Sequence, residues 1–456
     1  MELESPSSFR DRPVNIDEDG KRKWIYAKQP KGKWYVRRTI VGWLAISFLV
    51  LAPFIKINGN PLMLFDIANR KFSIFGQMIW AQDSYLLALI MAVTVVFIVL
   101  FTVIYGRLWC GWACPQTVFL EMIYRRIEYL FEGNYRNHKP KNEQASSNFW
   151  LKIGKHASFL LVSILITNIF LNWIVGPARL YEIVTSPISE NWFGFVAMIA
   201  LSLFYYWIYA FFREQVCTMI CPYGRIQGAL LDSRTIGIIY DYKRGEPRGA
   251  KNSGDCINCH QCITVCPTGI DIKNGSQLEC INCTACIDEC NLVMKKIHKP
   301  ENLIRFDSVL GVETGKRSIF NGRTYAYSAV LLILIVALGV TVSNRKPLET
   351  TMLRVPGSIY QQVDSVTYSN LYQVKIINKT ETDKNLVLKV VSPKSGRLQL
   401  ATGQTSLKKQ GMLESILIVN LNRNDLTGKS TNIEIGIYEG ETLLEVYSTN
   451  FIGPVK

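Results

Sequence analysis

Twelve of the 456 residues are cysteine, and eight of the twelve fall between Cys256 and Cys290. They form two runs, Cys256-Ile-Asn-Cys259-His-Gln-Cys262-Ile-Thr-Val-Cys266-Pro267 and Cys280-Ile-Asn-Cys283-Thr-Ala-Cys286-Ile-Asp-Glu-Cys290. Each reads C-x2-C-x2-C-x3-C. In this spacing three thiolates of one tight loop hold three corners of a [4Fe–4S] cube, and the fourth cysteine reaches the other cube. One cluster is therefore expected on Cys256, Cys259, Cys262 and Cys290, and the second on Cys280, Cys283, Cys286 and Cys266. Asn291 stands where the pattern would place a second proline, which alters a turn and not a ligand. A structural zinc site uses paired C-x2-4-C elements and leaves the doubled register unexplained. His260, inside the first run, reads as an exposed loop residue. Two such clusters carry electrons one at a time. No Gly-rich dinucleotide loop, flavin site or haem-attachment C-x-x-C-H is visible, so the electron donor is expected on another protein or a small carrier.

The remaining four cysteines are Cys110-Gly-Trp-Ala-Cys114-Pro115 and Cys217-Thr-Met-Ile-Cys221-Pro222. Both are C-x3-C-P. A spacing of four puts two sulfurs on one helix face, and the proline predicts a helix end or kink at Cys114 and Cys221. Two such pairs at one membrane depth could face each other and make a four-sulfur site. Soft thiolates suit Cu(I), zinc or iron–sulfur clusters. Met219 could add a thioether, and a transient disulfide relay is a further alternative.

Both pairs sit just beyond long apolar blocks. Five blocks lack any Asp, Glu, Lys or Arg: Thr39–Ile55, Leu86–Tyr105, Ala157–Val175, Trp192–Phe212 and Thr324–Ser343. About 20 such residues cross a hydrocarbon core of roughly 30 Å, so five membrane spans are expected. The charged fraction, 19%, is below the roughly 25% of soluble proteins. Ten Lys/Arg precede the first block, eight lie in 106–156 and fifteen in 213–323, against three (Lys56, Arg70, Lys71) and one (Arg179) in the other two loops. The basic segments are read as cytoplasmic, with the C-terminus outside. Reducing cytoplasm disfavours disulfides in the cysteine runs. The net charge of +15 follows from this bias. No nucleic-acid reader module accompanies it. The hydrophilic residues ahead of the first block argue for an uncleaved anchor. Asn168 and Asn172 share a face of the third span, where interhelical hydrogen bonding is expected.

Beyond the fifth block, short alternating runs (Tyr372–Ile377, Leu386–Val391, Leu398–Ala401, Ser415–Val419, Asn432–Tyr438 and Thr442–Tyr447) alternate with turn residues, the pattern of an immunoglobulin-like sandwich. The expected organisation is a multi-domain membrane protein of five transmembrane α-helices, an α+β two-cluster ferredoxin domain and a β-sandwich. Residues 1–38 form a basic cytoplasmic segment and 39–212 a four-helix membrane region. Residues 213–323 form the ferredoxin domain, 324–343 the fifth span and 347–456 a periplasmic immunoglobulin-like domain. Asn378-Lys-Thr380 fits a glycosylation acceptor by chance.

Taken together these residues resemble the cytochrome c oxidase accessory family CcoG/FixG/RdxA. The resemblance covers essentially the whole chain. It includes Asp19-Gly-Lys-Arg22, Pro53-Phe-Ile55, Ile57-Asn-Gly59, Leu64-Phe-Asp66, Arg70 and Gly106-Arg107-Leu-Trp-Cys110-Gly-Trp-Ala-Cys114-Pro-Gln-Thr117. It continues through Arg125, Ile127-Glu128, Gly133, Cys217, Cys221-Pro-Tyr-Gly-Arg225 and both ferredoxin runs. The resemblance implies a bacterial inner-membrane oxidoreductase that reduces Cu(II) to Cu(I) for the copper centre of a cbb-type cytochrome c oxidase. Cys110, Cys114, Cys217 and Cys221 would be the copper-side residues. It implies oxidase subunits and copper chaperones as partners beside a cytoplasmic electron donor, with no nucleic acid and with a homodimer left open. Two other readings stand beside it: an electron-transfer subunit like NapH or NosR, linking a cytoplasmic donor or quinone to a periplasmic reductase, and a non-enzymatic assembly scaffold.

Overall fold

The computed structural model describes residues 22, 24–67, 71–80, 83–133, 149–249, 253–316, 321–357, 359–380, 382–403 and 406–454. Residues 19–21 and Arg70 of the family motifs lie outside the described residues. The chain divides into two compact units, Met1–Leu338 and Gly339–Lys456.

Five helices are long and apolar enough to cross a membrane: Lys33–Leu51, Ser84–Tyr105, Phe149–Val175, Trp192–Phe212 and Gly322–Ser343. At 1.5 Å per residue they reach about 28–40 Å. The first starts at Lys33 rather than Thr39, so its opening turns carry Lys33, Arg37 and Arg38. Asn168 bonds to Ile164 O of its own helix at 2.8 Å, not to a neighbouring span. A backbone carbonyl four residues back is always within reach of a side chain on a helix. The segment between the first two spans folds as small antiparallel strands. Lys56–Ile57 pairs with Asn60–Pro61 around Asn58-Gly59, both at positive φ, the dipeptide that a tight hairpin turn favours.

A further helix, unforeseen from the sequence, lies in the core of the bundle. Pro115–Phe119, a π-type turn over Leu120–Tyr124 and Arg125–Glu132 run on continuously. Val118, Phe119, Leu120, Met122 and Tyr124 are buried with Ile46, Phe159, Ile166 and Tyr209 of the first, third and fourth spans. Tyr124 stacks on Tyr209 with centroids 4.5 Å apart. The helix carries Glu121, Arg125, Arg126 and Glu128, so it offers no uncharged block to find.

The cluster domain is built on an antiparallel pair, Gly237–Tyr240 with Ile304–Asp307, and on helices Gln261–Thr264 and Ala285–Lys296. It is fastened to the spans by named contacts. Asp288 accepts backbone N–H bonds from Trp34 (3.2 Å) and Tyr35 (2.7 Å) at the start of the first span. A carboxylate there meets the positive end of the helix dipole. Lys28 pairs with Glu289, and Arg125 donates to Pro267 O at 3.0 Å.

The second unit is a two-sheet sandwich. One sheet orders Arg397–Leu400, Met412–Asn422, Thr367–Asn378 and Leu348–Arg354, with Gln361–Gln362 on Thr367–Asn378. The other orders Ser406–Leu407, Lys384–Ser392, Ser430–Glu439 and Thr442–Ile452. Every pairing is antiparallel. Inward residues of both sheets, among them Tyr372, Val374, Leu417, Ile435 and Phe451, form one core, as alternation along half-buried strands requires. Asn378 is buried and its amide donates to Thr382 O and Lys408 O, so the glycosylation pattern there is used for folding.

Candidate metal centres

The two cysteine runs fold alike. Asn258 and Asn282, the residues before the second cysteine, have φ of 54° and 53°, and His260 and Thr284, the residues after it, have 57° and 67°. Left-handed backbone at four non-glycine residues is uncommon. Here it recurs at matching positions, because a loop wrapping a cube must reverse twice in a few residues. Asn258 is held by Lys273 Nζ at 2.7 Å, and Asn282 Oδ1 accepts from Ile238 N at 3.3 Å.

Each set of four lines its own small cavity. Cys256, Cys259, Cys262 and Cys290 line one with Tyr240 and Ile304. Cys266, Cys280, Cys283 and Cys286 line the other with Ile238 and Ile270; Cys262 touches both. The doubled spacing would give each set one cube. Among the described residues no three His, Cys, Asp or Glu close on a single metal ion. Burial pushes the thiols of Cys262, Cys280 and Cys290 up to about 12. At Cys283 burial is again the largest effect, offset in part by the Arg38 cation. Thiols in such surroundings keep their protons until metal displaces them. The first cavity is the outward one: Asn258, Cys259 and His260 are exposed.

The C-x3-C-P pairs sit at helix junctions. Leu108–Trp112 ends before Cys114, which is extended (φ −61°, ψ 124°), and Pro115 opens the next helix. Cys221 is extended likewise (φ −61°, ψ 112°) between a π-type turn, Val216–Ile220, and the helix Pro222–Leu230. The breaks fall where proline predicts them. They also mean that neither pair lies on one continuous helix face, since the second cysteine leaves the helix. Cys110 Sγ approaches Gln227 Oε1 at 3.6 Å, and Thr117 Oγ1 lies 4.0 Å from Cys217 Sγ. Burial raises the thiols of Cys110 to about 11 and of Cys217 to about 12. Their neighbours add to this: Cys114 and Cys221 act on Cys110, and Cys114, Cys110 and Cys221 on Cys217. Met219 contributes its carbonyl, to Arg225 Nε at 3.2 Å.

Sequence reasoning did not foresee how the two sets meet. Cys110 packs against the core of Val265, Ile281, Cys283 and Ala285. A Cβ on Gly111 would lie 2.2 Å from Ile281 O and 3.1 Å from Cys283 N, so only glycine admits this approach. Trp112 Nε1 donates to Asn282 O at 3.2 Å. Arg38, almost wholly buried, donates from Nε to Gly111 O at 2.8 Å and pairs with Glu121, which Arg125 also holds. The remaining Arg38 nitrogen is buried without a partner. Its cation acts on Cys283, where a cluster's sulfurs would need donors. A glycine between the cysteines of a pair and an arginine at the head of a span were the available signals.

Three family models match the chain. A "4Fe-4S binding domain" covers residues 87–137, including Cys110 and Cys114. A "4Fe-4S dicluster domain" covers 212–252 and 246–309. The "IG-like fold at C-terminal of FixG" covers 338–454. Protein RdxB of Cereibacter sphaeroides is 29% identical over 88% of this chain and 89% of its own length. Protein RdxA of the same organism is 29% identical over 80% and 82%. The nitrogen fixation protein FixG of Rhizobium meliloti is 31% identical over 63% and 57%. The crystal structure of a FixG-related protein from Vibrio parahaemolyticus aligns over 24% of this chain and all of its own, at 18% identity and a TM-score of 0.19. The protein is an iron–sulfur oxidoreductase embedded in a membrane.

Proposed function

The chain belongs to the FixG/RdxA family, and from that premise we propose that it reduces Cu(II) to Cu(I) for copper-centre assembly of a cbb-type cytochrome c oxidase. Bound clusters supply electrons singly, which matches the one electron that separates Cu(II) from Cu(I). Cys256, Cys259, Cys262 and Cys290 would hold one cluster, and Cys266, Cys280, Cys283 and Cys286 the other. Cys110, Cys114, Cys217 and Cys221 take the copper as thiolates, which favour the monovalent ion. Gly111 lets the first pair touch the Cys280–Cys283 loop, and Arg38 holds that contact through Gly111 O. This contact is the observation that carries the reading, because it brings the copper-side sulfurs against a cluster cradle. The excess of Lys and Arg in the basic loops supports a reading in which the N-terminus, the clusters and all twelve cysteines lie on the cytoplasmic face of a bacterial inner membrane. The sandwich then faces the periplasm, where oxidase subunits and copper chaperones are available to it.

The 4Fe-4S model over Cys110 and Cys114 favours a second reading. There the four membrane cysteines hold a resident iron–sulfur centre, and the chain passes electrons from a cytoplasmic donor or quinone to a periplasmic reductase. Iron content and Cu(I) competition separate the two. The copper reading expects about eight irons per chain and Cu(I) binding, measured against a Cu(I) chelator, that is lost when the four cysteines become serine. About twelve irons with no such binding would replace it with the second reading.

A further inference from the structure

A cavity of about 280 Å³ adjoins the second cluster cradle. Its wall includes Cys280 itself, with Arg107, Asn282, Thr235 and Gly106. Leu231, Ile236, Ile238, Ile239 and Val309 form its apolar part. It lies at the foot of two spans. Gly106 caps the second span, Ile236 N and Thr235 Oγ1 donate to Ile104 O (2.9 Å) and Val103 O (3.0 Å) of that span, and Asp232 pairs with Arg323 at the start of the fifth. Arg107 is 6% exposed. Two of its nitrogens donate to Leu278 O and Gly224 O, while its Nε is buried with no partner. The rim residues Asp232, Ser233 and Ser276 are exposed.

We propose that this cavity binds a membrane quinone. The ligand it fits is in large part apolar and carries carbonyl acceptors for the polar lining, in which Asn282, Gln277 and Thr235 stand beside the aliphatic side chains. Mostly apolar walls with a few convergent donors are the usual make-up of such a site. A position at the ends of two spans favours a carrier that partitions into the bilayer. The inference rests on the iron–sulfur oxidoreductase reading and adds its electron source. A quinol that leaves as the quinone gives up two electrons and two protons. The centres that the two cysteine sets would hold could take one electron each, and the protons would pass to water at the exposed rim.

The test is photolabelling of the full-length protein in detergent with a short-tailed azido-quinone, competed by unlabelled naphthoquinone and benzoquinone analogues. Peptides are then mapped for the wild type and for Ser233→Trp and Ser276→Trp, two rim changes on exposed loops. The proposal expects saturable, competable label within 231–239 or 272–282, and at least a tenfold weaker apparent affinity in one of the plugged variants. Label confined to other segments, or unchanged affinity in both variants, overturns it. Copper reduction driven by dithionite uses no quinone, and quinone labelling uses no copper, so failure of one reading is distinguishable from failure of the other.

Discussion

At the scale of the residue, the cysteines announced themselves through spacing alone. Their supporting charges did not, because an arginine or glutamate among basic loops looks like every other charge. Arg38, Glu121 and Arg125 form a buried triad, with Glu121 3.7 Å from Arg38 and 3.0 Å from Arg125. Glu121→Gln leaves two buried guanidinium groups without their anion. Removing one partner of a buried pair costs about 3–5 kcal/mol, so the thermal midpoint of the purified protein should fall clearly. A midpoint within error of the wild type contradicts the triad's structural role. Arg38 also bears on electron affinity. Its cation lies by Cys283 and favours the more negative, reduced form of a centre there. Arg38→Gln should lower the midpoint potential of one of the two centres in an EPR-monitored titration and leave the other unmoved. Equal shifts in both, or none, would remove this role.

At the scale of the element, the spans were legible because charged side chains are costly within the hydrocarbon core and leave long uncharged blocks there. The helix breaks at Cys114 and Cys221 were legible because of the following prolines. Three things were not. The first span begins earlier than its uncharged block, since Asp288 caps it from another domain. The helix Pro115–Glu132 hides among spans because its charges are satisfied internally, as Arg213 with Glu128 at 2.6 Å and 2.9 Å illustrates. The strand Leu348–Arg354 joins the sandwich from a stretch whose alternation is short and follows a span directly. Gly111 is where elements of both domains touch. Gly111→Ala adds a methyl against Ile281 O, and overpacking of this kind costs about 1–3 kcal/mol. We expect both cluster signals to survive while dithionite-driven copper reduction drops severalfold. Full activity in this variant would show that the approach of the two sets is not used.

At the scale of the whole molecule, composition and loop charge gave a membrane protein with two extramembrane domains. The order of spans, cluster domain and sandwich is what the chain has. What lay beyond reach was the contact between the cluster domain and the ends of the spans, because it joins residues far apart in sequence, 254 positions in the case of Trp34 with Asp288. The orientation makes a separate prediction. Alkaline phosphatase fused after residue 454 should be active in bacterial cells, and the same reporter placed near residue 300 inactive. The reverse pattern contradicts the positive-inside assignment. The most direct test of the central claim is anaerobic Cu(II) reduction by the purified, dithionite-reduced and desalted protein, read with a Cu(I)-specific chelator. A variant with Cys110, Cys114, Cys217 and Cys221 changed to serine runs alongside, its two clusters verified by EPR. The wild type is expected to turn copper over and the variant is not. Equal rates in the two proteins would mean that electrons leave the clusters without passing the membrane cysteines, and the proposed copper site would be wrong.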